Sequence, residues 1–179
     1  MEKIYMSYEQ FAEDCEVGER IMMDDGKLVF EVVETNKTNT VRLKCLHGGI
    51  LSSNKGVNLP DTNVKLPSMT EKDREDLEFI LTQPVNWIAL SFVRRAEDLT
   101  DLRRIVEHRK HPAKIMAKIE KPEAVKNIRR IVQAANGVMV ARGDLGVEMP
   151  IAELPITKKE IVQICMQFAR PVIVATQMM

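Results

Sequence analysis

Two apolar runs in this chain end in charge, and the residue types at their ends can do chemistry. Ile115, Met116 and Ala117 lead into Lys118 and Glu120, and Val138 through Ala141 lead into Arg142, Gly143 and Asp144. In an extended chain residues two apart point to the same side, so the Lys118 ammonium and the Glu120 carboxylate share one face. Gly143 permits a tight backbone path beside an acid. Charge that follows a strand interior falls at the strand's carboxyl end, where open α/β sheets and barrels carry their ligands.

If the two runs are neighbouring strands, their backbones lie about 4.8 Å apart, and Glu120 and Asp144 come to roughly 5 Å. At an effective dielectric of about 20, two carboxylates at that distance repel by about 3 kcal/mol. A shared proton would offset the repulsion, and a divalent cation would offset it better. Oxygen donors, few in number and with no His or Cys nearby, suit magnesium or manganese rather than zinc. A lysine beside such a cation points to a phosphate or an enolate. The same pattern fits a structural ion pair at a strand end, and at this level both readings stand.

The elements that must position these residues alternate along the second half of the chain. Thr70 is a good N-cap, with Asp73 three residues on as a variant capping box, and Leu77, Ile80 and Leu81 follow at helical spacing. Trp87 to Phe92 reads as a strand. Residues 97–110 read as a helix with Leu99, Leu102, Ile105 and Val106 on one face, stopped before Pro112. Lys114 to Glu120 is the next strand. A helix opening at Pro122 carries Val125, Ile128, Ile131, Val132 and Ala135 as its stripe and stops at Asn136-Gly137. Val138 to Arg142 is a strand, 157–169 a helix with Ile161, Ile164, Cys165 and Phe168 inward, and Val172 to Thr176 the last strand. Repeated strand–helix units of about 25–35 residues imply a parallel sheet with right-handed crossovers.

Residues 1–65 have a different character. Ile21-Met-Met23 runs into Asp24-Asp-Gly26, and Asp-Gly between strand-like runs signals a hairpin. Leu28 to Val33 is rich in β-branched residues, and Thr40 to Leu46 alternates with period two, so one face is buried. This half reads as a small antiparallel barrel or sandwich, or part of one.

The whole chain has 179 residues, enough for one ordinary domain or two small ones. Its 26 basic residues balance its 26 acidic ones, and no basic block of the kind that binds nucleic acid or anionic membrane is present. The three cysteines, Cys15, Cys45 and Cys165, have no metal or disulfide spacing; they read as inert packing residues in a reducing cytoplasm. No signal peptide and no run long enough to span a membrane is visible.

Ala117-Lys-Ile-Glu120, Gly137 through Gly146 and Val174-Ala-Thr-Gln-Met178 resemble three successive signature segments of the pyruvate kinase family. Asp24-Asp-Gly26, Lys55-Gly-Val-Asn-Leu-Pro60, Glu71-Lys-Asp73 with Asp76-Leu77, and Ala89-Leu-Ser-Phe-Val93 resemble others, all in the family's order. The resemblance implies an α/β fold: about four strand–helix units of a (β/α)8 TIM barrel in residues 66–179, and part of a small inserted β-barrel domain in residues 1–65. It implies a glycolytic phosphoryl transfer from phosphoenolpyruvate to ADP, giving pyruvate and ATP. Glu120 and Asp144 would hold the essential Mg²⁺ or Mn²⁺. Lys118 would stabilise the transferring phosphoryl group, and the amides around Gly143 and Asp144 would bind the substrate carboxylate. Thr176 would hydrogen-bond that carboxylate and lie near the carbon that takes a proton. Lys55 would reach nucleotide phosphates, with Asp24 or Asp25 near the nucleotide. Ser91 and Phe92 would end a barrel strand at the substrate site, with core packing the favoured role for Phe92. Relatives of this kind are cytoplasmic homotetramers, and Arg142 is a candidate subunit contact.

The chain departs from the family pattern in places. Asn54 stands where a second basic residue commonly precedes Lys55, and Lys121 stands where Asn often follows the metal-binding Glu, adding positive charge near the site. The family's K⁺ ligands and a substrate-binding Arg fall on early barrel strands, outside this chain. We therefore expect a truncated catalytic segment with no measurable turnover on its own. The alternatives are a non-catalytic module that self-associates through bare strand edges, and a metal-dependent enolate lyase of the wider barrel family.

Overall fold

The computed structural model describes residues 3–62, 64 and 67–175 of the chain, in two compact units, Met1–Lys65 and Leu66–Met179.

In the first unit a single turn, α1 (Phe11–Asp14), precedes β1 (Arg20–Met23), β2 (Leu28–Thr35), β3 (Val41–His47) and β4 (Val57–Asn58). They form one four-stranded antiparallel sheet in the order β3-β2-β1-β4. The Asp-Gly signal is a β1–β2 hairpin: the Lys27 amide donates to the Asp24 carbonyl, and Asp25 (φ 56°) and Gly26 (φ 83°) both take the left-handed backbone that a type I′ turn requires. Ile21, Met23, Leu28, Val32, Leu59 and Cys15 make the unit's own small core. β3 lies at the sheet edge. Its alternation leaves Val41 and Leu43 half-buried and Arg42 and Lys44 exposed, so the face read as buried is only partly covered.

The second unit holds α2 (Glu71–Ile80), β5 (Trp87–Leu90), α3 (Asp98–His108), β6 (Lys114–Ile119), α4 (Pro122–Lys126), α5 (Ile128–Ala134), β7 (Gly137–Ala141), α6 (Arg142–Glu148), α7 (Leu154–Gln167) and β8 (Val172–Ala175). The strands pair in parallel in chain order, β5-β6-β7-β8. Strand and helix alternate as the periodicity requires, and the stripes point inward: Leu99, Leu102 and Val106 of α3, Ile131 and Val132 of α5, and Ile161 and Cys165 of α7 are buried. The capping box at α2 is complete. The Asp73 amide donates to the Thr70 hydroxyl (3.1 Å) and the Thr70 amide to the Asp73 carboxylate (2.8 Å). The Thr70 hydroxyl, which donates to the same carboxylate at 2.6 Å, and then the Thr70 amide hold the Asp73 carboxyl below its usual range. The resulting stability is present above the unfolded carboxylate pKa and is lost as pH falls through the lower folded value.

Several sequence readings are corrected. The helix expected to run on from Pro122 breaks at Asn127 (φ −101°, ψ 10°). At the break the Asn127 side-chain amide donates to the Arg94 carbonyl (3.0 Å), a tertiary contact. The last helix starts earlier than expected, at Leu154, because Pro155 falls in the first turn, where its missing N–H costs nothing. Asn136 does not simply end a helix; its side-chain carbonyl accepts the Ile115 amide (3.0 Å), joining the start of β6.

Cysteine burial divides the three thiols. Cys15 and Cys165 are buried, and burial pushes both thiols up to about 11. Cys45 is exposed on β3, not packed as expected. At pH 8 a disulfide-exchange reagent should therefore label one thiol in the native chain and three after denaturation, read by absorbance. Labelling of Cys15 or Cys165 in the native chain would contradict their burial.

Candidate functional site

The site forms at the carboxyl ends of β5 and β6. In the parallel register Leu90 lies beside Ala117, so Ser91 follows at the level of Lys118. Ala117 and Ile119 are fully buried on one face of β6, and the alternation puts Lys118 and Glu120 on the other. There the Lys118 ammonium lies 2.6 Å from Glu120 Oε1 and donates to Ser91 Oγ at 2.9 Å. The Lys118 side chain keeps 26% of its surface exposed and Glu120 only 4%. The other carboxylate oxygen, Glu120 Oε2, accepts the Phe92 amide at 3.0 Å. Both oxygens of a nearly buried acid are thus held, one by charge and one by backbone.

Phe92 reverses its expected role. It is 55% exposed and its backbone is left-handed (φ 53°). That region is costly for a bulky side chain, and such residues cluster where geometry matters more than comfort. The strained turn aims the Phe92 N–H at Glu120. Nothing in a Ser-Phe pair after a strand announces this.

Asp144 lies three residues beyond β7, in the first turn of α6. The expected strand stops at Ala141, and Arg142 opens the helix. Gly143 does not take the left-handed backbone among the described residues; it is helical, and exposed like Asp144. Thr176 lies outside the described residues.

Lys121 also departs from expectation. Its charge is not an addition to an open site, because Lys121 Nζ pairs with Glu148 Oε1 at the end of α6. In sequence, Glu148 carries no mark of a buried acid.

In the first unit Lys55 Nζ lies 2.9 Å from Asp24 Oδ1, and Lys27 Nζ lies 3.0 Å from Asp24 Oδ2. Lys55, then Lys27, hold the Asp24 carboxyl below its usual range, and the same hydrogen bond raises Lys55. Asp24 is thus the acid that orients Lys55, and Asp25 adds only a weaker charge attraction. Asn54 has a backbone reason for its identity: φ is 61°, a conformation Asn tolerates better than Lys or Arg.

Glu120 offers carboxylate oxygens of the kind a hard divalent cation takes, both of them held in this structure by Lys118 and the Phe92 amide. Among the described residues no group of three or more His, Cys, Asp and Glu forms a cage. Magnesium needs none, since it is commonly held by one or two carboxylates, with water and substrate phosphates completing its shell.

Fold and site together define an α/β protein with charged groups gathered at the carboxyl end of a parallel sheet. The family model of the pyruvate kinase barrel domain matches residues 1–179. The chain belongs to the pyruvate kinase family. It is 45% identical to a pyruvate kinase of Geobacillus stearothermophilus over 180 aligned residues, 99% of this chain and 31% of that protein. Against pyruvate kinases of Mycobacterium intracellulare and Clostridium perfringens it is 43% and 44% identical, covering 38% and 37% of their lengths. The chain spans about a third of the length of these curated relatives. All are phosphotransferases by name, which favours neither the lyase nor the self-associating module. No helix of the described residues is long and apolar enough to cross a membrane.

Proposed function

We propose that this chain carries part of the phosphoryl-transfer site of a glycolytic pyruvate kinase acting on phosphoenolpyruvate and ADP. The observation that carries the reading is the Lys118–Glu120 pair, held by Ser91 and Phe92 at the carboxyl end of β6. In this reading β5 to β8 with their helices are four units of a (β/α)8 barrel, and residues 1–65 belong to the inserted β-domain. Four parallel strands in chain order, joined by three helical crossovers, support it.

Phosphoryl transfer asks a protein mainly for positioning and charge stabilisation. The Lys118 ammonium is partly exposed and pinned from two sides, which suits it to meet the negative oxygens of a transferring phosphoryl group. The Gly143 and Asp144 amides, in the first turn of α6, orient the substrate carboxylate. Thr176 is assigned the neighbouring carboxylate contact by family pattern alone. Lys55, oriented by Asp24, is assigned to nucleotide phosphates. Glu120 and Asp144 would hold Mg²⁺ or Mn²⁺, which supplies positive charge to the phosphate and enolate oxygens. K⁺ dependence, a homotetramer and a cytoplasmic setting are family expectations, and no described residue is assigned to K⁺.

The test is Mn²⁺ binding to the purified chain, followed by water-proton relaxation, with and without phosphoenolpyruvate. Wild-type chain should bind Mn²⁺ and respond to phosphoenolpyruvate. Lys118→Met should keep Mn²⁺ and lose the phosphoenolpyruvate response, since Lys118 competes for Glu120 in the free chain but faces phosphate in the complex. A folded wild-type chain that binds neither would reject the assignment.

A further inference from the structure

Lys121 carries a charge that the proposed reaction does not use. Its ammonium pairs with Glu148, whose side chain is only 1% exposed, and Lys121 itself keeps 20%. The same ammonium lies 6.0 Å from the centre of the Phe92 ring. That distance is the outer limit of a cation–π contact, so the carboxylate is the dominant partner. Phe92 is the residue whose strained backbone delivers an amide to Glu120. One side chain therefore touches the last residue of α6 and the residue that fixes the Glu120 carboxylate, and it follows Glu120 directly in the chain.

A nearly buried carboxylate is stable only with a cation or dense hydrogen bonding. Glu148 is tied to α6, and Lys121 is tied to the end of β6. Their attraction fastens the helix that carries Asp144 to the strand that carries Glu120. We propose that Lys121 is a positioning residue for the candidate active site. Through Glu148 it sets the place of α6 against β6, and through Phe92 it steadies the amide that holds Glu120. This rests on the reading of Glu120 and Asp144 as a cation-holding pair. Lys121 is not a ligand and does not touch the reacting atoms.

The experiment compares wild type, Lys121→Met, Lys121→Arg and the charge-removing double variant Lys121→Met with Glu148→Gln. Far-UV circular dichroism reports folding, water-proton relaxation reports Mn²⁺ affinity, and hydrogen–deuterium exchange reports segments 91–95 and 142–149. Outer partners of a metal site are worth about 10–100-fold in affinity. Lys121→Met should weaken Mn²⁺ at least about tenfold, at the low end of that range, and speed exchange in both segments. Lys121→Arg should restore both. A folded Lys121→Met chain with wild-type affinity and exchange overturns the proposal. If Lys121→Met does not fold, the double variant decides: weakened Mn²⁺ binding and loosened segments sustain it, and wild-type values overturn it. If wild type itself binds no Mn²⁺, the cation reading fails, and exchange alone judges the positioning role. Acceleration confined to 91–95 and 142–149 and reversed by Arg sustains it; unchanged or uniformly lost protection overturns it.

Discussion

Glu120→Gln should abolish Mn²⁺ binding by the purified chain while leaving it folded. Removing an outer partner already costs about 10–100-fold in metal affinity, so loss of a direct carboxylate donor should exceed about 100-fold. The amide side chain has nearly the shape of the acid, and its carbonyl can still accept the Phe92 N–H that now reaches Oε2. Lys118 loses its counterion but keeps 26% of its side-chain surface open to water. The fold should therefore survive, and the defect should lie in the charge. Thermal denaturation gives an independent reading. A ligand at 100 times its dissociation constant stabilises the native state by about 2.7 kcal/mol. Mn²⁺ should raise the melting temperature of wild type and leave that of Glu120→Gln unmoved. Equal shifts in both proteins would show that the cation binds elsewhere.

Ile131→Ala should destabilise the second unit by roughly 2–5 kcal/mol, the range for truncating a large buried aliphatic side chain. Ile131 is fully buried in α5, within the core that backs β6 and β7. Marginal stabilities of about 5–15 kcal/mol make that a large share of the total. The only tryptophan, Trp87, lies in this unit, so its fluorescence isolates the relevant transition. The urea midpoint should fall with little change in slope. Ile151→Ala, at a residue 78% exposed, should stay within about 0.5 kcal/mol and serves as the control. A small effect at Ile131 would mean that α5 does not pack as described.

Legibility in the sequence follows interaction range. The α2 capping box spans four residues, Thr70 to Asp73, and the β1–β2 turn is set by Asp25 and Gly26, so neighbouring residue types announce them. Helical stripes repeat within one element. The sharing of a face by Lys118 and Glu120 needs only the two-residue period of a strand, and it appears as an ion pair. Phe92 and Glu120 are 28 residues apart, and Lys121 and Glu148 are 27 apart. No local pattern links either pair. The Asn127 contact at the helix break has a similar range, since its partner Arg94 is 33 residues earlier.

The sequence by itself determined the order of the main strands and helices, the apolar faces and the candidate acids and lysine, because periodicity and local turn chemistry act within a few residues. It also carried the family, through motifs spread in order along the chain. The tertiary structure decided that Phe92 faces solvent with a strained backbone, that its amide fixes Glu120, and that the Lys121 charge is spent on a buried acid of α6. Those outcomes depend on which strand ends and helix ends meet, and parallel pairing across crossover helices settles that only when the sheet is assembled.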